Sequence, residues 1–125
     1  MGLPGEETND LMISLSDSSK IKFILTRHEQ GAAFMADVYS RLTQKVGVCL
    51  STLGPGATNL TTGVANANMD RSPILAITGQ TYTDQLHKES HQNMDRITMF
   101  KPITKWRWSM RNAVAFQKLS EEHSK

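Results

Sequence analysis

The segment Arg27-His28-Glu29 brings three ionisable side chains together directly after an apolar run. A carboxylate at the end of a buried run is partly desolvated, which makes Glu29 a candidate site residue. The alternative is that Glu29 only complements the dipole at a helix start while Arg27 pairs with it at the surface. Acidic residues are common at helix starts, so the segment taken alone favours this alternative.

A second segment, residues 52–59, contains Gly54, Pro55 and Gly56 in succession. Glycine lets a ligand approach the backbone closely, and amides exposed at a helix start attract anions or polar ring atoms. The segment is not a Walker loop, since no Gly-Lys-Ser/Thr follows, and it lacks the Gly-x-Gly-x-x-Gly dinucleotide pattern. A tight turn without a ligand is the alternative interpretation.

Two other groups of residues invite a chemical interpretation that the sequence does not support. His87, Glu89 and His91 resemble metal ligands, but their surroundings are typical of a loop and no pattern supplies a further ligand. We therefore predict no metal site in this chain. Cys49 lies in the apolar run 46–50, which indicates a buried small hydrophobe rather than a catalytic thiol.

The elements that position these residues follow from the alternation of short apolar runs with stretches of helical period. We predict buried parallel strands at residues 21–26, 46–52 and 73–78. Parallel strands need right-handed crossover helices, so the order predicts a three-layer, doubly wound α/β fold with a mostly parallel sheet. Ligands of such sheets bind beyond the carboxyl ends of the strands. The segments at Glu29 and at residues 52–59 lie there.

Helical periodicity predicts a helix over residues 31–43. Its larger apolar side chains are expected on the sheet, and Asp37 and Arg41 are expected to pair on the solvent side. Those apolar side chains are Phe34, Met35, Val38, Tyr39 and Leu42. Three shorter helices are also predicted. The first is marked by Leu11, Met12 and Leu15, with a cap among Thr8, Asn9 and Asp10, and the second by Leu60, Val64 and Ala67, with an end near Met69 and Asp70. The third covers residues 93–100 and follows a polar loop at residues 82–91. The alternation of Trp106 and Trp108 suits a strand with one buried face.

Bulk properties exclude several classes of protein. The 125 residues suit one domain, and the net charge of +2 comes from scattered residues, with no block that could bind nucleic acid or an anionic membrane. The apolar runs are too short to span a membrane, and the start lacks a signal-peptide pattern. We therefore expect a cytoplasmic protein.

Taken in order, six segments resemble the acetolactate synthase large subunit family of thiamine-diphosphate enzymes, in its N-terminal pyrimidine-binding domain. These segments are residues 2–7, 26–36, 54–60, 73–80, 89–92 and 102–105. Each is weak alone, but their joint occurrence is specific.

The resemblance implies that Glu29 is the catalytic residue that activates thiamine diphosphate. It hydrogen-bonds the pyrimidine ring nitrogen and favours the imino tautomer, whose nitrogen removes the thiazolium proton. The resulting carbanion attacks a 2-keto acid: family members decarboxylate pyruvate and join the two-carbon unit to a second keto acid, in branched-chain amino acid biosynthesis. The cofactor-binding residues that the resemblance implies are Pro4, Gly5, Glu29, Pro55, Asn59 and Gln92.

Departures from the family pattern indicate a partial domain. Residues 1–108 lack the usual first helix and strand of the pyrimidine-binding domain, and residues 109–125 diverge as a frayed tail. Gln44 replaces a glycine at a helix end, where a positive φ costs a side chain about 1 kcal/mol. The Gly-Asp-Gly motif that holds diphosphate and magnesium in a separate domain does not occur in this sequence.

Because that motif is missing, we expect the chain to need a diphosphate-binding domain or subunit, within a homo-oligomer, and to be inactive alone. Two alternatives stay open. The chain could be a non-catalytic remnant or association module of the same fold, which the missing first strand favours. It could also be a flavodoxin-like domain that binds a phosphate at residues 54–56.

Overall fold

The computed structural model describes residues 1–82 and 93–110. Parallel strands form one sheet in the order β1 (Gly2–Leu3), β2 (Gly47–Ser51) and β3 (Ile74–Thr78). The α-helices are α1 (Asn9–Ser16), α2 (Glu29–Thr43), α3 (Pro55–Asn59), α4 (Thr61–Met69) and α5 (Arg96–Phe100), with 3₁₀ turns at Glu6–Thr8 and Lys101–Ile103. The predicted α/β class with a parallel sheet is confirmed.

The strands β2 and β3 pair along their whole length, whereas β1 pairs with β2 through two residues only. The ladder between β2 and β3 runs from Gly47 opposite Ile74 to Ser51 opposite Thr78, which confirms the strands predicted at residues 46–52 and 73–78. The helices α2 and α4 belong to successive parallel crossovers, so the common right-handed connection places both on one face of this ladder. There they pack against the strands and against each other.

The strand predicted over residues 21–26 does not form, and that prediction is wrong. Leu25 makes only an isolated bridge to Gly2, flanked by hydrogen bonds from Gly2 N to the Ile24 carbonyl (3.0 Å) and from Thr26 N to the Gly2 carbonyl (2.9 Å). Because β1 is only two residues long, residues 21–23 have no strand beside them to pair with. Ile21 and Leu25 are accordingly 59% and 68% exposed.

The face of α2 that packs on the sheet consists of small residues. Ala32, Ala33 and Ala36 are completely buried. The prediction that the larger apolar residues of α2 face the sheet is therefore wrong: Met35, Val38, Tyr39 and Leu42 are exposed, and Phe34 is half-buried.

Glycines opposite this alanine face explain why small residues are preferred there. A Cβ added to Gly47 would overlap the Ala36 carbonyl oxygen, and one added to Gly63 would lie 2.5 Å from the Ala33 Cβ. The helix backbone thus approaches β2 and α4 more closely than larger side chains would allow.

The shorter helices follow the predictions more closely. Leu60, Val64 and Ala67 are buried, and α4 ends at Met69, as predicted. The helix α1 forms after Thr8, but it buries none of its own residues. The helix α5 begins at Arg96 rather than Asn93, because Asp95 caps it by accepting a 3.0 Å hydrogen bond from Thr98 N.

The strand predicted at Trp106 and Trp108 is also wrong. Residues 106–110 have no ladder partner among the described residues, and the indole rings pack on each other at 6.1 Å with a 53° tilt. Cys49 is completely buried, and burial raises the pKa of its thiol to about 11, which supports the hydrophobe interpretation. His87, Glu89, His91, Gln92, most of the predicted polar loop and nearly all of the predicted tail lie outside the described residues.

Within residues 1–82 and 93–110, no helix is long and apolar enough to cross a membrane.

Candidate functional site

The carboxyl ends of the three strands meet at one edge of the sheet. β1 leads into Gly5, β2 into residues 52–59 and β3 into Gly79. A Cβ added to Gly5 would overlap the Thr52 side chain, and one added to Gly79 would lie 3.2 Å from the Glu7 Cβ. The predicted convergence of strand-end segments is confirmed, and glycine is what permits it.

Glu29 is the first residue of α2 and lies at this edge. His28 caps the helix, since its Nδ1 accepts a 3.1 Å hydrogen bond from Gln30 N. The Glu29 residue is only 5% exposed, and its Oε2 accepts a 2.9 Å hydrogen bond from Asn59 Nδ2. The fold therefore buries a carboxylate at the start of α2.

The surface-pair interpretation of Glu29 is wrong. Arg27 is exposed, whereas the Glu29 carboxylate is buried and bonded to Asn59. A carboxylate in the first turn still complements the dipole of α2, so that part of the alternative stands beside the site interpretation.

The other carboxylate oxygen, Oε1, faces Gly56. A Cβ added to Gly56 would lie 3.3 Å from Oε1 and 2.7 Å from Thr52 Cγ2. Gly54 makes the turn possible with a φ of 55°, and Pro55 follows as the exposed first residue of α3. Because Gly56 has no side chain, the turn brings no side chain of its own against Oε1.

The turn already uses one of the amides at the start of α3. Gly56 N donates to the Leu53 carbonyl at 3.2 Å, whereas the bond from Thr58 N to the Gly54 carbonyl, at 3.1 Å, is the ordinary first bond of the helix. The flavodoxin-like alternative thus loses one of the amides that a phosphate would use.

The loop after β1 carries Pro4 and Gly5, both half-buried. Gly5 N donates to Thr8 Oγ1 at 3.0 Å, and the same hydroxyl donates to the Gly5 carbonyl at 2.9 Å. Glu7 Oε2 accepts a 2.6 Å hydrogen bond from Thr52 Oγ1. These bonds fix the loop against the end of β2.

Sequence reasoning gave no role to three residues at this edge: Glu7, which ends one of the segments that resemble the family, Thr52, which begins the predicted segment 52–59, and Arg96. Arg96 is buried and donates from Nη1 to the Gly79 carbonyl at 2.7 Å, and its burial lowers the pKa of the guanidinium. Thr52 ends a predicted strand, which is a usable signal. Nothing in the local sequence indicates that Glu7 and Arg96 reach this edge, because their contacts are long-range.

A second polar cluster lies farther along the interface of α2 and α4. Asp37 is 1% exposed and accepts hydrogen bonds from Arg41 Nε (2.8 Å), Arg41 Nη2 (2.6 Å) and Asn66 Nδ2 (2.8 Å). These bonds, Arg41 first, hold the pKa of the Asp37 carboxyl at about 2. The predicted Asp37–Arg41 pair is confirmed, but Asp37 does not face solvent.

Residues 1–99 match the sequence model of the thiamine pyrophosphate enzyme N-terminal TPP-binding domain. The chain belongs to this family. The family predicted from the sequence segments is confirmed.

Relatives with similar sequences are acetolactate synthases. The chain is 47% identical to the "Probable acetolactate synthase large subunit" of Methanocaldococcus jannaschii over 104 residues, which is 83% of this chain and 17% of that protein. It is 46% identical to the "Acetolactate synthase, catabolic" of Raoultella terrigena over 105 residues, 84% of this chain and 19% of that protein. It is 41% identical to the large subunit of Corynebacterium glutamicum over 111 residues, 89% of this chain and 18% of that protein. The chain thus spans less than a fifth of the length of these relatives.

Proposed function

We propose that this chain supplies the pyrimidine-binding half of an acetolactate-synthase-like enzyme. The observation that carries the proposal is the Glu29 carboxylate: it is buried, Oε2 accepts from Asn59, and Oε1 faces Gly56, which has no side chain. A ring nitrogen of the cofactor pyrimidine requires a carboxyl group that can hydrogen-bond it. The residues present fit that requirement.

Thiamine diphosphate, when bound, supplies the nucleophilic carbon for decarboxylation of pyruvate and its joining to a second 2-keto acid. The chain's own contribution is to hold the pyrimidine and a proton at its ring nitrogen through Glu29. Pro4, Gly5 and Pro55 are proposed to contact the cofactor, and Gln92 is proposed to lie near the reacting carbon. Burial of Glu29 strengthens its hydrogen bond to the ring, because water competes less for the carboxylate.

A second domain or subunit must complete this site. No group of three or more His, Cys, Asp or Glu side chains among residues 1–82 and 93–110 is placed to hold a metal ion. We propose that a diphosphate-binding domain or subunit carries the magnesium and the diphosphate, within a homo-oligomer in the cytoplasm. The exposed apolar residues of α2 offer a surface for that assembly.

Reconstitution tests the proposal. The full chain is mixed with a diphosphate-domain partner, thiamine diphosphate, magnesium and pyruvate, and acetolactate is measured. Glu29→Gln should lower turnover at least about hundredfold, the usual scale for losing a group that acts in proton transfer. The control is Asp10→Asn, which removes an exposed carboxylate of α1 and should leave turnover unchanged. A folded chain that gives no turnover with any partner would refute the proposal.

A non-catalytic association module of the same fold is the second candidate. It is favoured by the outward side of α2, where Val38 is 51% and Leu42 is 79% exposed. Such a module would bind the diphosphate-domain partner, as seen by sedimentation, while neither turnover nor cofactor binding appears. The same reconstitution therefore separates the two candidates.

A further inference from the structure

We infer that Asn59 is a positioning residue for Glu29, and that Glu29 Oε1 is the atom that meets the cofactor pyrimidine. The inference rests on the proposed function and deepens it. Asn59 then acts through Glu29 by fixing the carboxylate, whereas the family resemblance alone placed it among the residues that line the pocket.

Without a hydrogen-bond partner, the Glu29 carboxylate would be free to rotate. The last torsion of a glutamate side chain is broad and roughly two-fold, so packing alone does not fix which way its oxygens point. The hydrogen bond from Asn59 Nδ2 to Oε2, at 2.9 Å, removes that freedom. Bonds to charged groups are the stronger ones, so a single amide is enough to set the plane of the carboxylate.

The amide is itself held by a fixed element. Asn59 is the last residue of α3, and its neighbours Ala57 and Leu60 are completely buried. The chain continues directly into α4, which packs against α2. The donor is therefore anchored on both sides along the chain, and the Glu29 carboxylate takes its orientation from this anchor.

The two oxygens then have different surroundings. Oε2 is occupied by the amide, while Oε1 faces Gly56, where an added Cβ would lie 3.3 Å away. An incoming ring nitrogen would meet the oxygen that the Asn59 amide does not occupy. That oxygen is Oε1.

The chain contains a matched control for this bond. Asn66 Nδ2 donates to Asp37 Oδ2 at 2.8 Å, so a second asparagine ties a second buried carboxylate of α2. Asp37 lies about 12 Å along the helix from Glu29, at 1.5 Å of rise per residue. Asn59→Ala and Asn66→Ala each remove one amide–carboxylate bond, but only the first touches Glu29.

The first experiment needs no cofactor. In the full 125-residue chain, nuclear magnetic resonance relaxation of labelled glutamate methylene groups measures the order of the Glu29 side chain. Asn59→Ala should lower that order, and Asn66→Ala should leave it unchanged. Asn59→Ser is the second variant if Asn59→Ala does not fold. An equal effect of the two alanine variants, or no effect of the change at residue 59, would overturn the inference.

The second experiment uses the chain with its diphosphate-domain partner and magnesium. Asn59→Ala should weaken thiamine diphosphate binding about tenfold, the scale of a hydrogen bond to a charged group, and leave the KM for pyruvate unchanged. Asn66→Ala should change cofactor binding less than about twofold. If the unchanged chain binds no cofactor with any partner, the proposed function fails, while the relaxation measurement still decides the role of Asn59.

Discussion

Gly56 faces the Glu29 carboxylate without a methyl group that would press on it. Gly56→Ala would place a Cβ 3.3 Å from Glu29 Oε1 and 2.7 Å from Thr52 Cγ2. We expect thiamine diphosphate binding in the reconstituted enzyme to weaken about tenfold, since overpacking costs on the order of 1–3 kcal/mol. Titration calorimetry measures the change.

Gly31→Ala is the matched control for that change. An added Cβ at Gly31 meets nothing within 4 Å, and Gly31 lies inside α2. Alanine is the better helix former, so the variant should raise the free energy of unfolding by up to about 1 kcal/mol and leave cofactor binding unchanged. Unchanged binding in Gly56→Ala would show that the pyrimidine does not lie beside Oε1.

Gln44 ends α2 in the left-handed conformation, with a φ of 57°. This confirms the positive φ expected at this helix end. Gln44→Gly should raise the free energy of unfolding by about 0.5–1 kcal/mol, reduced by the loss of the bond from Nε2 to the Arg41 carbonyl. Thermal unfolding measures it.

Arg71 also has a φ of 57° and provides an independent comparison for Gln44. Arg71→Gly should shift the midpoint of thermal unfolding in the same direction. If both variants unfold at a lower temperature than the unchanged chain, the side chains at these two positions stabilise the fold by more than their backbone strain costs.

At the scale of elements, every fourth residue of α2 contacts the segment that runs from the end of α3, through α4, to the residue after it, because one face of a helix recurs at that spacing. These contacts join Glu29 with Asn59, Ala33 with Gly63, Asp37 with Asn66 and Arg41 with Asp70. The first contact belongs to the candidate site, and the others fix the helix that carries it.

Asp37→Asn should destabilise the chain by about 2 kcal/mol at pH 7, because bonds of Arg41 and Asn66 to a buried carboxylate are lost. The pKa of Asp37 is about 2 in the folded chain, below the ordinary value of 3.8. Because the pKa is depressed, the ionised Asp37 carboxylate stabilises the fold at pH values above the ordinary pKa. This stabilisation is lost as the pH falls from about 4 towards 2. The difference between the two chains in urea unfolding should shrink across that range.

Asp70→Asn is the control for Asp37→Asn. Asp70 also pairs with Arg41, but its side chain is 48% exposed, so its loss should cost less than about 1 kcal/mol. If the Asp70 variant were as unstable as the Asp37 variant, the exposed Arg41–Asp70 pair would contribute as much to the free energy of unfolding as the buried Asp37 bonds.

The sequence predicts elements well where local pattern and packing agree. Continuous apolar runs located β2 and β3, and Leu60, Val64 and Ala67 marked the buried face of α4. The prediction of a strand at residues 21–26 was wrong because a strand needs a paired neighbour, and β1 supplies only two residues. The prediction of which face of α2 packs on the sheet was wrong because periodicity identifies apolar stripes. It does not show that alanines opposite glycines allow the helix to approach more closely.

The site was predictable in part. Strand ends and the family segments indicated Glu29, Pro4, Gly5, Pro55 and Asn59 without indicating their contacts. The bond between Asn59 and Glu29 joins residues 30 positions apart, and the bond between Thr52 and Glu7 spans 45. Such pairs depend on how α2 and the loop after β1 pack, which no local pattern encodes.

At the scale of the whole molecule, the described surface carries apolar side chains on two sides. Val48 of β2 and Leu75 of β3 are paired in the sheet, and they are 40% and 48% exposed. Met35, Val38, Tyr39 and Leu42 form a stripe along α2. Large exposed apolar patches mark association surfaces, which supports the proposed oligomer.

The α2 stripe predicts concentration-dependent self-association of the chain, measurable by sedimentation equilibrium. Leu42→Lys, at a residue that is 79% exposed, should weaken that association at least about tenfold without lowering the unfolding temperature. The control is Ile13→Lys on α1, where Ile13 is 60% exposed and lies outside the stripe. Equal effects of the two variants would indicate nonspecific association.

Gly47 lies far from the proposed pyrimidine site, yet it sets the distance between β2 and α2. Any side chain there would act as a wedge against the Ala36 carbonyl, about 10 Å along the helix from Glu29. A wedge at that point tilts or lifts the helix and carries the carboxylate away from Asn59. A loss of cofactor binding caused by a change at residue 47 would therefore be mechanical in origin, although it would look like a defect in the chemistry.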